Sequence, residues 1–357
     1  MRDRRAVLLA NALLYKDFIV FGSWNFTDRD DRFSDGLRSV VLIYRGFDPW
    51  WIRVGQHNIA SPLDAARGRR AFMEEAMSSG AFAYAPGTPS LGASVSHRGA
   101  HHNVRLGVWS VPAKELGGDR EGYGVHGRAS YAPIVERTKA LHFGLAGYWR
   151  KPTMLKGEAS GGERFSARPE LRVDDDGIVV DTGRIGYVDS FHYTALELAG
   201  VYGRWSFQGE LQRVGIDRDA PPAPGGAAYP DLSFNGYYLL GSYFLTGESR
   251  NYYQRLGSFW RVTPHRKFDP WGSGGWGAFE VAARVSHIDL DDEVDDLVGG
   301  VRGGISNNVS LALNWYFNPY VRLSLNYVHA EVDNVDEEGQ QEGGTVDGVA
   351  MRLRWEF

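Results

Sequence analysis

Apolar and polar residues alternate with a period of two along much of this chain. The alternation is clearest towards the C-terminus, where Phe279, Val281 and Val285 are apolar and Glu280 and Arg284 lie between them. It returns three times before the last residue, in residues 309–317, 321–327 and 349–357. Because successive side chains of a strand point to opposite faces, each segment predicts a strand with one apolar face and one polar face.

This pattern is typical of two kinds of protein. In a soluble β-sandwich, the apolar face packs inside and the charged face meets water. In a membrane barrel, the apolar face meets lipid and the charged face lines a water-filled lumen. The connections between the strands help to distinguish these two folds.

Short connections join the predicted strands in pairs, whereas long stretches separate one pair from the next. Glycine, proline and asparagine supply the short turns, as in residues 46–49, 203–204 and 318–319. The long stretches are polar or acidic and include residues 27–36, 151–188, 216–233, 289–304 and 331–346. Short turns at one end and long loops at the other are typical of outer-membrane barrels. We therefore predict an all-β fold, a transmembrane antiparallel β-barrel of about 16 strands that forms a single domain over residues 1–357.

The strand count and the N-terminus each allow two interpretations. Counting back from Phe357 gives about fifteen strands, whereas single-chain bacterial barrels have even numbers. Either the first strand lies before Met1, or a strand is miscounted in residues 248–270. The stretch at residues 2–14, basic and then apolar, fits either a short signal peptide or a first strand over residues 6–15.

One segment departs from the strand pattern. Residues 62–83 are rich in alanine, methionine and glutamate, which favour a helix. Because this segment lies in a long connection after a strand, we predict that residues 60–90 fold into the lumen as a constriction loop with a short helix. The residues of interest in this loop are Arg69, Arg70, Phe72, Glu74 and Glu75. The alternative is an ordinary surface helix with a solvated basic end.

Composition narrows the class of protein further. The chain has 357 residues and no cysteine, which excludes a disulfide framework and thiolate metal sites. Its net charge of −5 argues against a general nucleic-acid binder. Aromatic residues make up 13% of the chain, which suits the interfacial girdles of a membrane barrel. The chain contains no run of about 18 apolar residues, so the sequence predicts no transmembrane helix.

Several stretches together resemble the phosphate-selective porin O and P family. Residues 243–250, with the sequence YFLTGESR, are similar to the family pattern Y-x-L-T-G-E-x-R. The run GAFE at residues 277–280, followed by Arg284, is similar to the pattern G-A-W-E-x-x-x-R. Further similar stretches are VGQ at residues 54–56, FME at residues 72–74, LNWY at residues 313–316 and MRLRWEF at residues 351–357. The resemblance covers nearly the whole chain and is strongest over its last third.

The resemblance implies a 16-stranded barrel, usually trimeric, that carries anions across the outer membrane by diffusion. It also implies that the first strand and an N-terminal extension lie before Met1. One position departs from the family pattern, because Glu75 stands where the family has an arginine after F-x-E. This departure bears on phosphate specificity more than on the fold.

Channel selectivity requires fixed charge near the permeating ion and no chemical reaction. Arginine suits an anion such as phosphate because its planar guanidinium donates two hydrogen bonds and keeps its charge. The inward parity of the predicted strands holds Arg53, Arg105, Arg128, Arg284, Arg322, Arg352 and Arg354, and Arg69 and Arg70 join them from the loop. Glu197, Glu210, Glu280 and Glu356 share this parity, so we expect some of the arginines to pair with them as parts of the wall.

Other candidate chemistry has less support in the sequence. The acidic residues in 289–296 do not match the spacing of an EF-hand calcium loop. His101 and His102 suit a turn better than a metal pair. His126 and Ser130 share a strand face, but nothing singles out a nucleophile, an orienting acid and an oxyanion donor together. We therefore predict no enzyme activity, no metal and no cofactor.

The sequence thus predicts an outer-membrane porin of bacteria for small anions, phosphate among them. The expected partners are outer-membrane lipid, lipopolysaccharide and two further copies of the chain, and no nucleic acid. The competing class is a plugged structural or adhesive barrel without selective transport, and conductance separates the two. A third class, a soluble β-sandwich, differs because it stays in solution without detergent.

Overall fold

The structure of the chain, a computed structural model, describes most of the sequence. The described residues are 7–26, 36–65, 84, 89–112, 121–154, 162–171, 177–219, 229–272, 274–294, 299–334 and 343–356. They contain no helix that is both long and apolar enough to cross a membrane. Strands dominate the fold, as the alternation of apolar and polar residues predicts.

Within these described ranges, fifteen strands form one antiparallel sheet in which most neighbours in the sequence are neighbours in space. The first eight strands are β1 (Val7–Leu14), β2 (Phe18–Asn25), β3 (Leu37–Phe47), β4 (Trp50–His57), β5 (Ser90–Arg98), β6 (His102–Ser110), β7 (Tyr123–Val135) and β8 (Lys139–Lys151). The other seven are β11 (Val188–Tyr202), β12 (Trp205–Arg218), β13 (Leu232–Phe244), β16 (Ala278–Asp292), β17 (Val301–Tyr316), β18 (Val321–Asp333) and β19 (Gly344–Trp355). Two short hairpins lie outside the sheet, β9 (Ser166–Ala167) with β10 (Val180–Asp181) and β14 (Tyr252–Tyr253) with β15 (Ser258–Phe259).

The sheet begins at β1 and ends at β19, and within the described residues no register joins these two strands. A further strand before Met1 stays a prediction. At the N-terminus, Leu14 pairs with Phe18 across a tight turn, so the interpretation of residues 6–15 as a strand is confirmed.

The two faces of the sheet show how the molecule meets its surroundings. The buried face is polar and includes Ser94, Ser96, Gln208, Gln212, Asn308 and Ser310. The exposed face is apolar and includes Leu145, Leu196, Leu211, Leu239, Leu311 and Leu353. A soluble sandwich has the opposite arrangement, because apolar burial is what stabilises it in water. A polar interior with an apolar exterior fits a barrel in lipid.

Long and short connections alternate between the two ends of the sheet, with one exception. Trp205 begins β12 at the short-turn end and pairs with Tyr243 near the end of β13, so the chain leaves β13 at that same end. It returns at Ala278, which pairs with Tyr316. The long segment 245–277 therefore lies at the short-turn end, where the sequence pattern predicts only tight turns. That part of the layout prediction is wrong, because residues 248–270 contain the short β14–β15 hairpin and add no strand to the sheet.

Candidate functional site

In the part of the chain that the structure describes, three segments fold into the interior of the sheet and shape the lumen. The first follows β4, is described at residues 58–65 and 84, and enters from the long-loop end. Tyr84, which is 1% exposed, donates a hydrogen bond from its hydroxyl to the carbonyl of Asn235, at 3.0 Å. The hydroxyl of Tyr148 donates to the carbonyl of Tyr84 at 2.6 Å. These bonds tie the first inward segment to strands β8 and β13.

The second inward segment comprises residues 162–171 and 177–187 and contains the β9–β10 hairpin. Phe165 packs against the rings of Phe191 and Phe234 on the barrel wall. Arg164 and Asp181 form an ion pair across the hairpin. These apolar and ionic contacts hold the segment inside the barrel.

The third inward segment, residues 245–277, enters from the short-turn end. Its Tyr252 and Phe259 join Leu63, from the first inward segment, in one buried apolar cluster. Segments from opposite ends of the barrel therefore meet inside it. Arg250 lies over the ring of Phe259, with its guanidinium carbon 3.8 Å from the ring centroid, and burial lowers the pKa of this arginine.

Arg128 connects the barrel wall to the third inward segment. Its guanidinium donates two hydrogen bonds to the carboxylate of Glu197, at 2.8 and 2.6 Å. The same group donates to the carbonyls of Leu256, at 3.3 Å, and of Gly257, at 2.7 Å. His142 lies against the same carboxylate at 3.0 Å and against the hydroxyl of Tyr252 at 2.6 Å. Arg128 is therefore fully engaged by the protein, and its charge is balanced.

Arg284 plays the corresponding role for the second inward segment. It is 1% exposed, and its Nε and Nη2 atoms lie 3.0 and 2.6 Å from Oε2 of Glu170. Ser286 and Ser310 also donate hydrogen bonds to this carboxylate, at 2.5 and 2.7 Å. Asp64 lies 3.9 Å from Nη1 of the same arginine. This carboxylate cluster attaches the segment to strands β16 and β17.

Arg53 and Arg105 lie on β4 and β6, on either side of β5. Arg53 donates to the hydroxyl of Ser96 at 3.0 Å. Arg105 donates to the hydroxyl of Ser94 at 3.2 Å and to the carbonyl of Asn58 at 2.6 Å. The hydrogen bond described for Arg53 thus goes to a neutral oxygen atom. Both residues are half-buried on the inward face of the sheet.

The remaining predicted arginines on the strands lie near the short-turn end. Arg322 is buried, with its guanidinium 5.6 Å from the centroid of the Tyr316 ring. Arg352 is half-buried on β19, and Arg354 forms an ion pair with Glu356. The predicted loop residues Arg69, Arg70, Phe72, Glu74 and Glu75 lie outside the described residues, as does the predicted helical run 62–83 beyond residue 65.

Several residues that shape the lumen are absent from the sequence predictions. Glu170, Tyr84 and Asp64 lie in long connections whose polar character indicates surface loops. A signal was available in residues 151–188, because a solvated loop has no need for buried apolar residues. Phe165, Leu171, Val180 and Ile185 are buried there.

Metal and catalytic sites have little support in the part of the chain that the structure describes. No group of three or more His, Asp and Glu side chains in those residues is placed to hold a metal ion. His101 lies 2.9 Å from the carbonyl of Ala132, and His102 stacks on His97. His126 accepts a hydrogen bond from the backbone of Ala60 at 3.1 Å.

Comparison with known proteins finds one family and several solved barrels. A family model for phosphate-selective porin O and P matches residues 4–357. An uncharacterized protein of Caulobacter vibrioides is 32% identical over 302 residues, which cover 82% of this chain and 55% of that protein. Porin O of Pseudomonas aeruginosa is 28% identical over 245 residues, which cover 64% of this chain and 52% of that protein. The chain spans about half the length of these curated relatives.

Two solved outer-membrane proteins have a similar fold. OmpT of Vibrio cholerae, in its trimer form, gives a TM-score of 0.55 at 11% identity and covers 98% of this chain and 90% of that one. The outer-membrane channel DcaP of Acinetobacter baumannii gives a TM-score of 0.52 at 10% identity and covers 99% of this chain and 84% of that one. The prediction of a transmembrane antiparallel β-barrel is confirmed by these similarities in fold.

Proposed function

Because this chain belongs to the phosphate-selective porin O and P family, we propose that it is a passive pore through which small anions diffuse. It is a protein of the bacterial outer membrane. Passive diffusion requires no catalytic group, so the proposed pore is not an enzyme. The charge that selects the ion is fixed on the wall and on the inward segments.

The observation that carries the anion preference is Arg53. It lies on the inward face of the β4–β6 wall, and its described hydrogen bond goes to the hydroxyl of Ser96. A neutral acceptor orients this arginine without cancelling its charge. A permeating anion that passes this wall gains favourable Coulomb energy, and a cation meets repulsion.

Arg128 and Arg284 have a different proposed role. Their charges are balanced by Glu197 and Glu170, and their hydrogen bonds hold the inward segments against the wall. They determine the width of the pore and contribute little to its charge. The predicted set of pore-lining arginines therefore divides into residues that select and residues that position.

We extend the proposal to residues 60–90 as the constriction, because Tyr84 and Leu63 from this segment lie inside the barrel. Phosphate is the proposed preferred anion on the strength of family membership. Glu75 stands where the family has arginine, so a preference for small anions in general is the outcome expected if that position determines phosphate binding.

A homotrimer is proposed through the wall of strands β1–β6. These strands have 8 to 11 residues, whereas β7, β8, β11–β13 and β16–β18 have 13 to 16. A strand of eight residues is about 26 Å long, and its usual tilt reduces the height to about 20 Å, less than a lipid-facing band of about 25 Å. Contact with other copies would cover a wall that is too short for lipid.

The experiment that tests the pore is single-channel recording in a planar bilayer, with a chloride gradient followed by added phosphate. We expect ohmic current and a reversal potential on the anion side, with phosphate reducing the chloride current. Cation preference would exclude the anion proposal. A folded protein without conductance would favour the plugged barrel. In that alternative, the cluster of Leu63, Tyr252 and Phe259 inside the barrel is part of the plug.

A further inference from the structure

The apolar outer wall of the barrel contains a groove with a volume of about 690 Å³. Its floor is formed by two small outward residues on paired strands, Gly241 of β13 and Ala283 of β16. Large apolar side chains border this notch on both sides, among them Trp205, Tyr243, Leu311 and Val349. The groove thus crosses the outside of six neighbouring strands from β12 to β19.

The groove starts at the membrane interface on the short-turn side. Trp205 is the first residue of β12, and its ring lies 4.4 Å from that of Tyr243 near the end of β13. Aromatic residues at the ends of barrel strands mark the level of the lipid headgroups. In an outer-membrane barrel the short turns face the periplasm, so this end lies in the periplasmic leaflet.

The opposite end of the groove lies near the middle of the bilayer. Val349 precedes Trp355, the last residue of β19, by six positions. Six residues extend about 20 Å along a strand, and the usual strand tilt reduces the depth to about 15 Å. This depth is about one leaflet of a hydrocarbon core that is about 30 Å thick. The groove therefore has the vertical extent of one acyl chain of the periplasmic leaflet.

Positive charge lies at the mouth of the groove. Arg204 occupies the tight turn directly before Trp205, and it is exposed and has no ion pair among the described residues. Its Nη2 atom lies 3.3 Å from the Cβ position of Gly247, which follows β13 at the same end. Lys139, on the next turn, lies 5.5 Å from the ring of Tyr202. A lipid phosphate at the start of the groove would therefore lie near two positively charged side chains, Arg204 and Lys139.

From this arrangement we propose that the groove binds one phospholipid of the periplasmic leaflet. Its phosphate contacts Arg204, and one acyl chain lies over Gly241 and Ala283. Membrane lipid contacts the whole outer wall of the barrel. The notch differs from the rest of this wall because its small residues let one acyl chain pack against the backbone of the sheet, where dispersion contacts are more numerous. This proposal is independent of what passes through the pore.

Gly241 offers a clean way to test the groove. A Cβ at this position meets no atom within 4 Å, so the notch has room for the start of a larger side chain, and Gly241→Leu is chosen to fill it. The matched control is Ala129→Leu on β7, an exposed outward position outside the groove and outside strands β1–β6. For the headgroup, Arg204→Gln is compared with Lys16→Gln at the β1–β2 turn.

The experiment is native mass spectrometry of the intact protein after reconstitution in bilayers of phosphatidylethanolamine and phosphatidylglycerol. We expect one phospholipid to stay bound per chain. Gly241→Leu should lower its occupancy about tenfold, because about two methylene contacts are lost, and Arg204→Gln should lower it less. Both controls should bind as the unchanged protein does.

Equal retention of lipid by the Gly241→Leu variant and the unchanged protein would overturn the proposal. Selective retention of lipid A in place of phospholipid would also overturn it, because it would assign the groove to the other leaflet. If Gly241→Leu changes the oligomeric state instead, the groove is an interface between copies and the lipid proposal fails. Conductance of the same variants reports separately on the pore.

Discussion

Two parts of the lumen wall hold arginines in different ways. On the wall of β7, β8 and β11, Arg128 is buried against Glu197 and donates to two carbonyls of an inward segment. On the wall of β4–β6, Arg53 is half-buried, and its described hydrogen bond goes to the hydroxyl of Ser96. The same residue type therefore serves structure on one wall and, in our proposal, ion selection on the other.

The difference follows from what each wall has to hold. Inward segments crowd the first wall, and their carbonyl groups lose water when they pack there. A buried carbonyl without a hydrogen bond is costly, so a charged donor that satisfies two of them stabilises the fold. A buried arginine in turn requires a carboxylate nearby. Segment 245–277 packs on the first wall through Tyr252 and Phe259, and it contacts β6 through the hydrogen bond from Asn103 to the carbonyl of Arg255.

The largest expected effect is that of Arg128→Met. This substitution leaves the carboxylate of Glu197 buried without its cation and leaves two carbonyl groups without a donor. We expect a loss of about 3–5 kcal/mol in the free energy of unfolding, measured by urea unfolding in lipid vesicles. The double variant Arg128→Met with Glu197→Leu should recover part of this loss. A single variant as stable as the unchanged protein would contradict the positioning role.

The next largest effect is expected from Arg284→Met, which removes the charged donor from Glu170. We expect a loss of about 2–3 kcal/mol, because Ser286 and Ser310 still donate to the carboxylate. Release of residues 162–187 from the wall should also widen the pore. Single-channel conductance should therefore rise, whereas Arg354→Gln serves as a control outside the second segment. Unchanged conductance would show that the second inward segment does not limit the width of the pore.

Replacing the proposed selectivity arginine, Arg53, should change ion selectivity and leave stability nearly unchanged. Arg53→Gln keeps a hydrogen-bond donor near Ser96 and removes one lumen charge, so we expect little change in stability. The ratio of anion to cation permeability should fall by about sevenfold, since one charge at roughly 7 Å attracts the anion and repels the cation by about 0.6 kcal/mol each at the dielectric constant of water. Reversal potentials in a salt gradient measure this ratio. An equal fall in Arg128→Met would contradict the division between the two walls.

The smallest expected effect is the pH dependence of the stability of the second inward segment. Arg164 donates hydrogen bonds to Asp181 and lowers the pKa of this carboxyl below its usual value. A carboxyl with a lowered pKa stabilises the fold at neutral pH, and the stabilisation is lost as the pH falls below about 4 through its folded pKa.

Hydrogen exchange of residues 162–171 and 177–187 should therefore accelerate when the pH falls from neutral to about 3, relative to the exchange of β4–β6. Rates must first be corrected for the intrinsic pH dependence of exchange. Asp181→Asn should remove this relative change, because its side chain does not titrate. A relative change that persists in the variant would assign the effect to another carboxylate, such as Glu170.

Much of the barrel was predictable from the sequence because a strand is a local pattern. Alternation assigned Phe279 and Val281 to one face and Glu280 and Arg284 to the other, and the structure places them so. The hairpin of β1 and β2 was predicted from the turn at residues 16–17. The inward course of segment 245–277 was not predictable, because its aromatic residues suit a strand of the barrel wall as well as an inward loop.

The arginine set shows the limit of local patterns. Parity places an arginine on the inward face and carries no information about its partner. Glu197 lies 69 positions from Arg128, and Glu170 lies 114 positions from Arg284. Sequence alone therefore anticipated that some arginines pair with wall glutamates, as Arg128 does. It did not anticipate Glu170, which reaches Arg284 from a loop.

The sequence by itself determined the antiparallel strands, the polar inner face and the apolar outer face of this protein. These features depend on side-chain direction within a strand, which has a period of two residues. The tertiary structure alone decided which arginines have their charge balanced and where three segments enter the barrel. Those outcomes depend on contacts between residues that are distant in the chain, and burial makes each such contact selective because an unpartnered charge there is too costly.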